Sequence, residues 1–326
     1  MLIKITLSIV ISVVVYLCIA LVLTLLPVKP HVVDKSLNFD QLQPKRFSNG
    51  QEQSYTARDG ASLFYRLFES DASLTLVLLH GSGAEGRYLT GLAQKLASSN
   101  IATVVVPDLR GHGRSVLSSS GDVDYVGQLE SDLSDLNTHL KGRYPQNLLV
   151  LGGHSSGGGF AIKYAGTERA ESFDAYLLLA PYLGHDAPTT RPNSGDWVQV
   201  SVRRYIGLSM LNNVGIRWFN ATPVLFFNRP QEWSDALQAD HYTYRMNQSL
   251  SPKGYAQSLS ANRKPLMVVI GREDEALFAD EYPALFEQVA PQSVVELIED
   301  TQHLDLPDST DAYRVIAAWL EKVRAQ

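Results

Sequence analysis

The sequence predicts an α/β fold: a mostly parallel, eight-stranded sheet with helices on both faces and an inserted cap, preceded by one N-terminal transmembrane helix. Three observations predict it. Short apolar runs alternate with stretches of helical period along most of the chain, the pattern of a sheet wound between two layers of helices. From Gly184 to Lys264 that rhythm stops for roughly 80 residues, too many for a simple loop between neighbouring strands, so a cap is expected there. At the N-terminus, Ile5 to Leu26 is an uncharged 22-residue stretch dominated by Ile, Leu and Val.

As a helix, that stretch spans about 33 Å, enough for a bilayer core of about 30 Å. Residues 1–27 are expected to be a signal anchor that stays in the chain. The competing reading is a cleaved signal peptide, but its h-region runs only about 7–15 residues and no small-x-small site precedes Pro27. Leu17 ahead of Cys18 also spoils a lipoprotein cleavage box. A tether of mixed polar composition is expected over 28–53, leaving 54–326 for the folded domain. Lys4 and the amino terminus oppose Lys29 and Lys35, so charge alone does not orient the helix. Short N-terminal flanks usually stay cytoplasmic, which would place the domain outside the cytoplasm, in the periplasm of a bacterium. A domain without cysteine is compatible with that compartment.

Within the domain, Gln53 to Ala57 and Ala61 to Glu69 flank Arg58-Asp59-Gly60 and read as an antiparallel hairpin at a sheet edge, with Asp-Gly supplying the turn. Continuous apolar runs from Leu74 to Leu79, Ile101 to Val106, Leu148 to Leu151, Tyr176 to Leu179, Leu266 to Ile270 and Val294 to Ile298 read as buried parallel strands. Apolar residues at helical spacing mark helices from Arg87 to Ala97, Tyr125 to Leu140, Gly158 to Gly166, Asp280 to Val289 and Asp311 to Val323. Tyr144-Pro145 closes the second of these.

Three motifs sit at strand ends. His80-Gly81-Ser82-Gly83 follows the third strand, Pro107-Asp108-Leu109-Arg110-Gly111-His112-Gly113-Arg114-Ser115 the fourth, and Gly153-His154-Ser155-Ser156-Gly157 the fifth. The last is a Gly-x-Ser-x-Gly pattern between an apolar run and a small-residue helix, the setting of a nucleophile elbow. A serine hydroxyl is too weak an acid to attack a carbonyl unaided, so it needs exposure, a base and donors for the oxyanion. Gly153 and Gly157 are expected to let the backbone bend through strained angles with no Cβ to clash. Ser156 is a rival nucleophile, but His154, two positions before it, is too large for the tight turn, which selects Ser155. Gly81 and Gly83 are expected to bring their backbone close to the scissile carbonyl.

On these motifs, over Ser54 to Leu183 and Pro265 to Leu320, the chain resembles the α/β-hydrolase superfamily. Within it, the resemblance is to the group of monoacylglycerol lipases, lysophospholipases and serine aminopeptidases of the proline iminopeptidase type. The resemblance implies a triad in the chain order Ser, acid, His. Of the eight histidines, His303 alone follows the last strand, on the loop Glu299-Asp300-Thr301-Gln302-His303. The acid falls in Gly271-Arg272-Glu273-Asp274-Glu275, where the family pattern Gly-x-x-Asp selects Asp274, with Glu273 and Glu275 as alternatives. The backbone N–H groups of Ser82 and Ser156 are implied as the oxyanion hole. His80 is expected to fix its loop by hydrogen bonding, and Asp108, Arg110 and His112 to hold one another as scaffold.

The implied chemistry is acyl transfer: Ser155 attacks an ester, thioester or amide, His303 relays the proton, and water releases the acyl enzyme. No cofactor is called for. Cys18 is the sole cysteine, which excludes a thiolate zinc site and a disulfide within the chain. A formal net charge of −6 argues against a nucleic-acid partner. The cap is rich in aromatic residues, among them Trp197, Tyr205, Trp218, Phe219, Phe226, Phe227, Trp233, Tyr242, Tyr244 and Tyr255. Most should form the cap's own core and some should line the pocket. The leading expectation is a membrane-tethered carboxylic ester hydrolase acting on a small acyl ester or lipid-like substrate such as a monoacylglycerol or lysophospholipid. An aminopeptidase that binds a free amino terminus through Glu232, Asp235 or Asp240 is one alternative, and a catalytically silent binding module is another.

Overall fold

The computed structural model describes residues 2–30, 36–39 and 50–326. The expected tether lies outside the described residues at 31–35 and 40–49. Helix α1 (Leu2–Leu25) is 24 residues long with a mean hydropathy of 2.8, long and apolar enough to cross a membrane. Its C-terminal half is packed rather than free. The Tyr16 hydroxyl donates to the Met210 carbonyl at 3.0 Å, and Ala20 and Thr24 are buried against helix α5 (Val202–Asn213). Gly207 makes the approach possible, since a Cβ there would stand 2.6 Å from both Ala20 O and Thr24 Oγ1.

The main sheet contains β1 (Gln51–Thr56), β2 (Ser62–Phe68), β3 (Leu74–Leu79), β4 (Thr103–Pro107), β5 (Leu148–His154), β6 (Ala175–Leu179), β10 (Leu266–Gly271) and β11 (Val294–Ile298), in the order β1-β2-β4-β3-β5-β6-β10-β11. The edge hairpin forms as expected, and β2 also runs antiparallel to β4, whereas all later pairs are parallel. Every residue of β3, β4, β6 and β10 is buried, which is why these strands read as unbroken apolar runs instead of alternating ones. Strand β3 pairs with β4 on one side and β5 on the other, so the winding reverses there and a crevice opens beyond the strand ends. The loops after β3 and β5 flank that crevice.

Helices α2 (Thr90–Ser98), α3 (Gln128–Arg143), α4 (Ser156–Ala165), α8 (Glu281–Val289) and α9 (Thr310–Ala325) connect or follow these strands. Several boundaries differ from the sequence expectation, two of them with a plain cause. Helix α3 begins at Gln128 and not at Tyr125, because Gly127 takes φ 100° and breaks the helical run, leaving Tyr125 and Val126 exposed. Strand β5 continues to His154, three residues past the apolar run, as Gly153 pairs with Leu79 and His154 with Leu179.

Between β6 and β10 lies the cap, which holds α5, α6 (Tyr244–Leu250) and α7 (Tyr255–Ala261). It also holds a small antiparallel sheet that the sequence did not announce, ordered β7 (Val198–Val200), β8 (Pro223–Phe227) and β9 (His241–Thr243). Strands this short carry too few residues for a period of two to register.

Candidate active site

Ser155 stands at the end of β5 with φ 55° and ψ −120°, a backbone conformation that a residue with a Cβ rarely adopts. The strain therefore falls on the serine itself, which corrects the expectation that the flanking glycines absorb it. Gly153 and Gly157 serve close packing. A Cβ on Gly153 would lie 2.3 Å from the Gly157 carbonyl carbon, and one on Gly157 2.5 Å from His80 O. Helix α4 starts at Ser156, so the amide of Ser156 is a first-turn donor with no partner within the helix.

His303 arrives on the loop after β11 and is buried. Its Nδ1 lies 2.6 Å from Asp274 Oδ2, while Asp274 Oδ1 accepts the N–H groups of Ala276 and Leu277 at 2.9 and 2.8 Å. Of the three acids in that loop, the structure brings Asp274 to the imidazole. Glu273 is exposed, and Glu275 holds the backbone instead, accepting the His303 N–H at 3.0 Å. Burial disfavours a charged His303, but the adjacent Asp274 carboxylate outweighs it, and the pKa is raised above the ordinary 6.5. No hydrogen bond joins Ser155 Oγ to His303 among the described residues; both side chains line one cavity. Such contacts are often loose before substrate binds.

The loop His80-Gly81-Ser82-Gly83 is held by two tyrosine–histidine relays. The Gly81 N–H donates to the Tyr88 hydroxyl at 2.8 Å, that hydroxyl donates to His154 Nδ1 at 2.8 Å, and His154 Nε2–H donates to the His303 carbonyl at 3.0 Å. On the other side, the Gly83 N–H donates to the Tyr242 hydroxyl at 2.8 Å, which donates to His112 Nε2 at 2.6 Å, with His112 Nδ1–H donating to Arg110 O at 3.2 Å. Both flanking glycine amides are thus consumed. The amide of Ser82 between them makes no hydrogen bond among the described residues. Both imidazoles must be neutral to accept, and burial holds them so: His154 falls well below the usual range and His112 to about 3.

A family model described as serine aminopeptidase, S33, matches residues 70–308, well over half of the chain. The chain belongs to this family. The S33 chain is also 22% identical to Lipase 1 of Psychrobacter immobilis over 291 residues, 83% of this chain and 85% of that protein. Among solved structures, a bacterial membrane phospholipase A covers 100% of this S33 chain and 98% of its own, at 20% identity and a TM-score of 0.58. A soluble variant of monoglyceride lipase from Saccharomyces cerevisiae covers 91% and 99%, at 16% identity and a TM-score of 0.60. These likenesses establish the α/β-hydrolase fold.

In this S33 hydrolase the crevice is a cavity of about 610 Å³. Ser82, Ser155 and His303 line it, with Leu37, Phe39, Trp197, Trp233 and Leu304 forming an apolar wall. Its polar side includes Arg87, Arg229, Glu232 and Asp235. The Arg229 side chain is buried, donates through Nη2 to Gly83 O at 2.6 Å, and lies 5.5 Å from the Trp197 ring. Desolvation holds its pKa below the ordinary arginine value.

The scaffold expectation needs correction. Asp108 and Arg110 do not hold each other: Asp108 pairs with Arg66 at 2.6 Å and accepts the Gly86 and Arg114 amides, whereas Arg110 pairs with Asp132 and Asp59. His80 does fix its loop, with Nδ1–H donating to Gly81 O and Nε2 accepting the Leu109 N–H. Sequence reasoning gave Tyr88 no role, placed Tyr242 only among the cap aromatics and Glu275 only as an alternative acid, and read His154 only as too large for the turn before Ser156. The carbonyl that His154 meets, that of His303, lies 149 residues away.

Proposed function

We propose that this protein is a membrane-anchored serine hydrolase of carboxylic acyl esters, with lipid-like substrates such as monoacylglycerols or lysophospholipids. One observation carries the reading. A serine at a strained strand-to-helix elbow shares a cavity with a histidine whose ring is held by a buried aspartate. In this mechanism Ser155 Oγ attacks the ester carbon as its proton passes to His303 Nε2, and Asp274 stabilises the imidazolium. The oxyanion is met by the amides of Ser82 and Ser156, each worth about 3 kcal/mol in comparable sites. His303 then protonates the leaving alkoxide, and a water it activates hydrolyses the acyl enzyme. The aromatic wall supports an acyl chain as the group bound. The lipase and phospholipase names of its relatives point the same way.

The test is labelling with a fluorophosphonate probe. Labelling of the parent, absent from Ser155→Ala and from His303→Ala, supports the assignment; a folded parent that resists the probe refutes it. Turnover of acyl esters in preference to aminoacyl amides separates this reading from the aminopeptidase. For the latter, Asp235 is engaged by Arg87 and Asp240 faces Arg229, which leaves Glu232 as the cavity carboxylate outside any ion pair among the described residues. We further propose that α1 anchors the domain outside the cytoplasm, which protease digestion of intact spheroplasts would show as loss of the catalytic domain.

A further inference from the structure

We infer that the segment Ser36–Phe39, upstream of the domain, forms a wall of the active site, and that Leu37 and Phe39 set the length of acyl chain the cavity accepts. The inference rests on the acyl-ester reading for its substrate class. Four residues with no regular secondary structure would ordinarily be solvated, yet Leu37 and Phe39 are only 7% and 8% exposed. Both line the cavity that holds Ser155 and His303. The Phe39 ring packs 5.6 Å from that of Trp197 and 6.2 Å from that of Trp233, so it closes the cavity against the cap's own aromatic residues.

Polar residues at 36 and 38 pin the segment on two sides. The Ser36 hydroxyl donates to the Asn228 carbonyl in the cap at 3.0 Å. The Asn38 N–H donates to Glu275 Oε1 and its Nδ2 to Gln302 Oε1, both at 2.7 Å. Glu275 follows Asp274, Gln302 precedes His303, and the other oxygen of Glu275 holds the His303 amide. The strap therefore spans from the cap to the two loops that carry the acid and the histidine. Its apolar pair sits where an acyl chain leaving Ser155 would run along the aromatic wall. A chain that outgrows the space meets Phe39. Because only residues 26–35 separate this wall from α1, the same segment that leads to that helix also shapes the pocket.

The experiment uses the full chain in phospholipid nanodiscs with Ser155→Ala in the background, so that binding is read without turnover. Fluorescence of Trp197 and Trp233 is titrated with sodium alkyl carboxylates from about four to about twelve carbons. Phe39→Ala is expected to extend the series, raising relative affinity for chains beyond the parent's optimum about fourfold per methylene accommodated and leaving the shortest unchanged. Phe39→Leu and Leu37→Ala should shift the optimum the same way by a smaller step, which guards against a misfolded alanine variant. An unchanged chain-length profile in all three, or no saturable binding by the parent, overturns the inference. Fluorophosphonate labelling of Ser155 in the otherwise unmodified chain is scored separately: its failure refutes the hydrolase reading, while the binding profile still decides whether the strap is a wall.

Discussion

In the proposed mechanism Ser82 offers its amide to an oxyanion while Gly81 and Gly83 are tied back, and each tie ends on a neutral imidazole. Tyr88→Phe removes the hydroxyl that links the Gly81 N–H to His154 and leaves a buried donor and a buried acceptor unpaired. The expected cost is about 1–3 kcal/mol of stability per stranded group, read from the urea midpoint. A loss of about tenfold in kcat with little change in KM should accompany it, as the oxyanion donor drifts. Asp274→Asn acts on the other half of the site. The proposed ester hydrolysis needs a neutral His303, so activity should fall as pH drops through a pKa that Asp274 holds above 6.5. The substitution should lower kcat by about 10³–10⁴-fold and move the acid limb of the kcat/KM profile to lower pH. That Ser155 and His303 stand just past strand ends was legible in the sequence, because each follows a readable apolar run. The relays were not, since Tyr242 reaches Gly83 across 159 residues and no local pattern encodes that distance.

Elements read well where one physical pattern ran long enough. The buried strands announced themselves as apolar runs, and α1 as an uninterrupted apolar stretch. The cap resisted because its strands are three to five residues long and two of its helices, α6 and α7, have only seven, so tertiary contact and not periodicity decides them. Nor did periodicity reveal the seam between α1 and α5, which depends on Gly207 meeting Ala20 and Thr24. That seam predicts its own failure. Gly207→Leu would drive a side chain into the α1 backbone and part the helices, while the sheet and the triad loops stay untouched. Trypsin should then cut at Arg203 or Arg204 in detergent-solubilised protein several-fold faster than in the parent, with fluorophosphonate labelling of Ser155 retained. Equal cleavage rates would mean that the seam does not hold α5 in place.

Across the whole molecule, the site's histidines couple its integrity to pH. His80, His112 and His154 are buried with pKa values pushed down by desolvation, so each binds a proton more weakly in the fold than in the unfolded chain. Their contribution to stability is present above the unfolded value near 6.5 and is lost as pH falls toward the folded value, about 3 for His112. His303 runs the other way, since its raised pKa makes its contribution full at low pH and lost as pH rises through the folded value. The three depressed groups outnumber it, and acid should loosen the oxyanion loop before it melts the sheet, whose core carries no titrating side chain in β3 or β6 save Tyr176. His112→Gln tests this. Gln can still accept the Tyr242 hydroxyl and donate to Arg110 O but cannot take up a proton on unfolding. Urea unfolding between pH 4 and 6 should therefore show a pH slope flatter by about 1.4 kcal/mol per pH unit in the variant. An unaltered slope would show that His112 is already protonated in the fold, and that its relay to Gly83 is not the one the geometry describes.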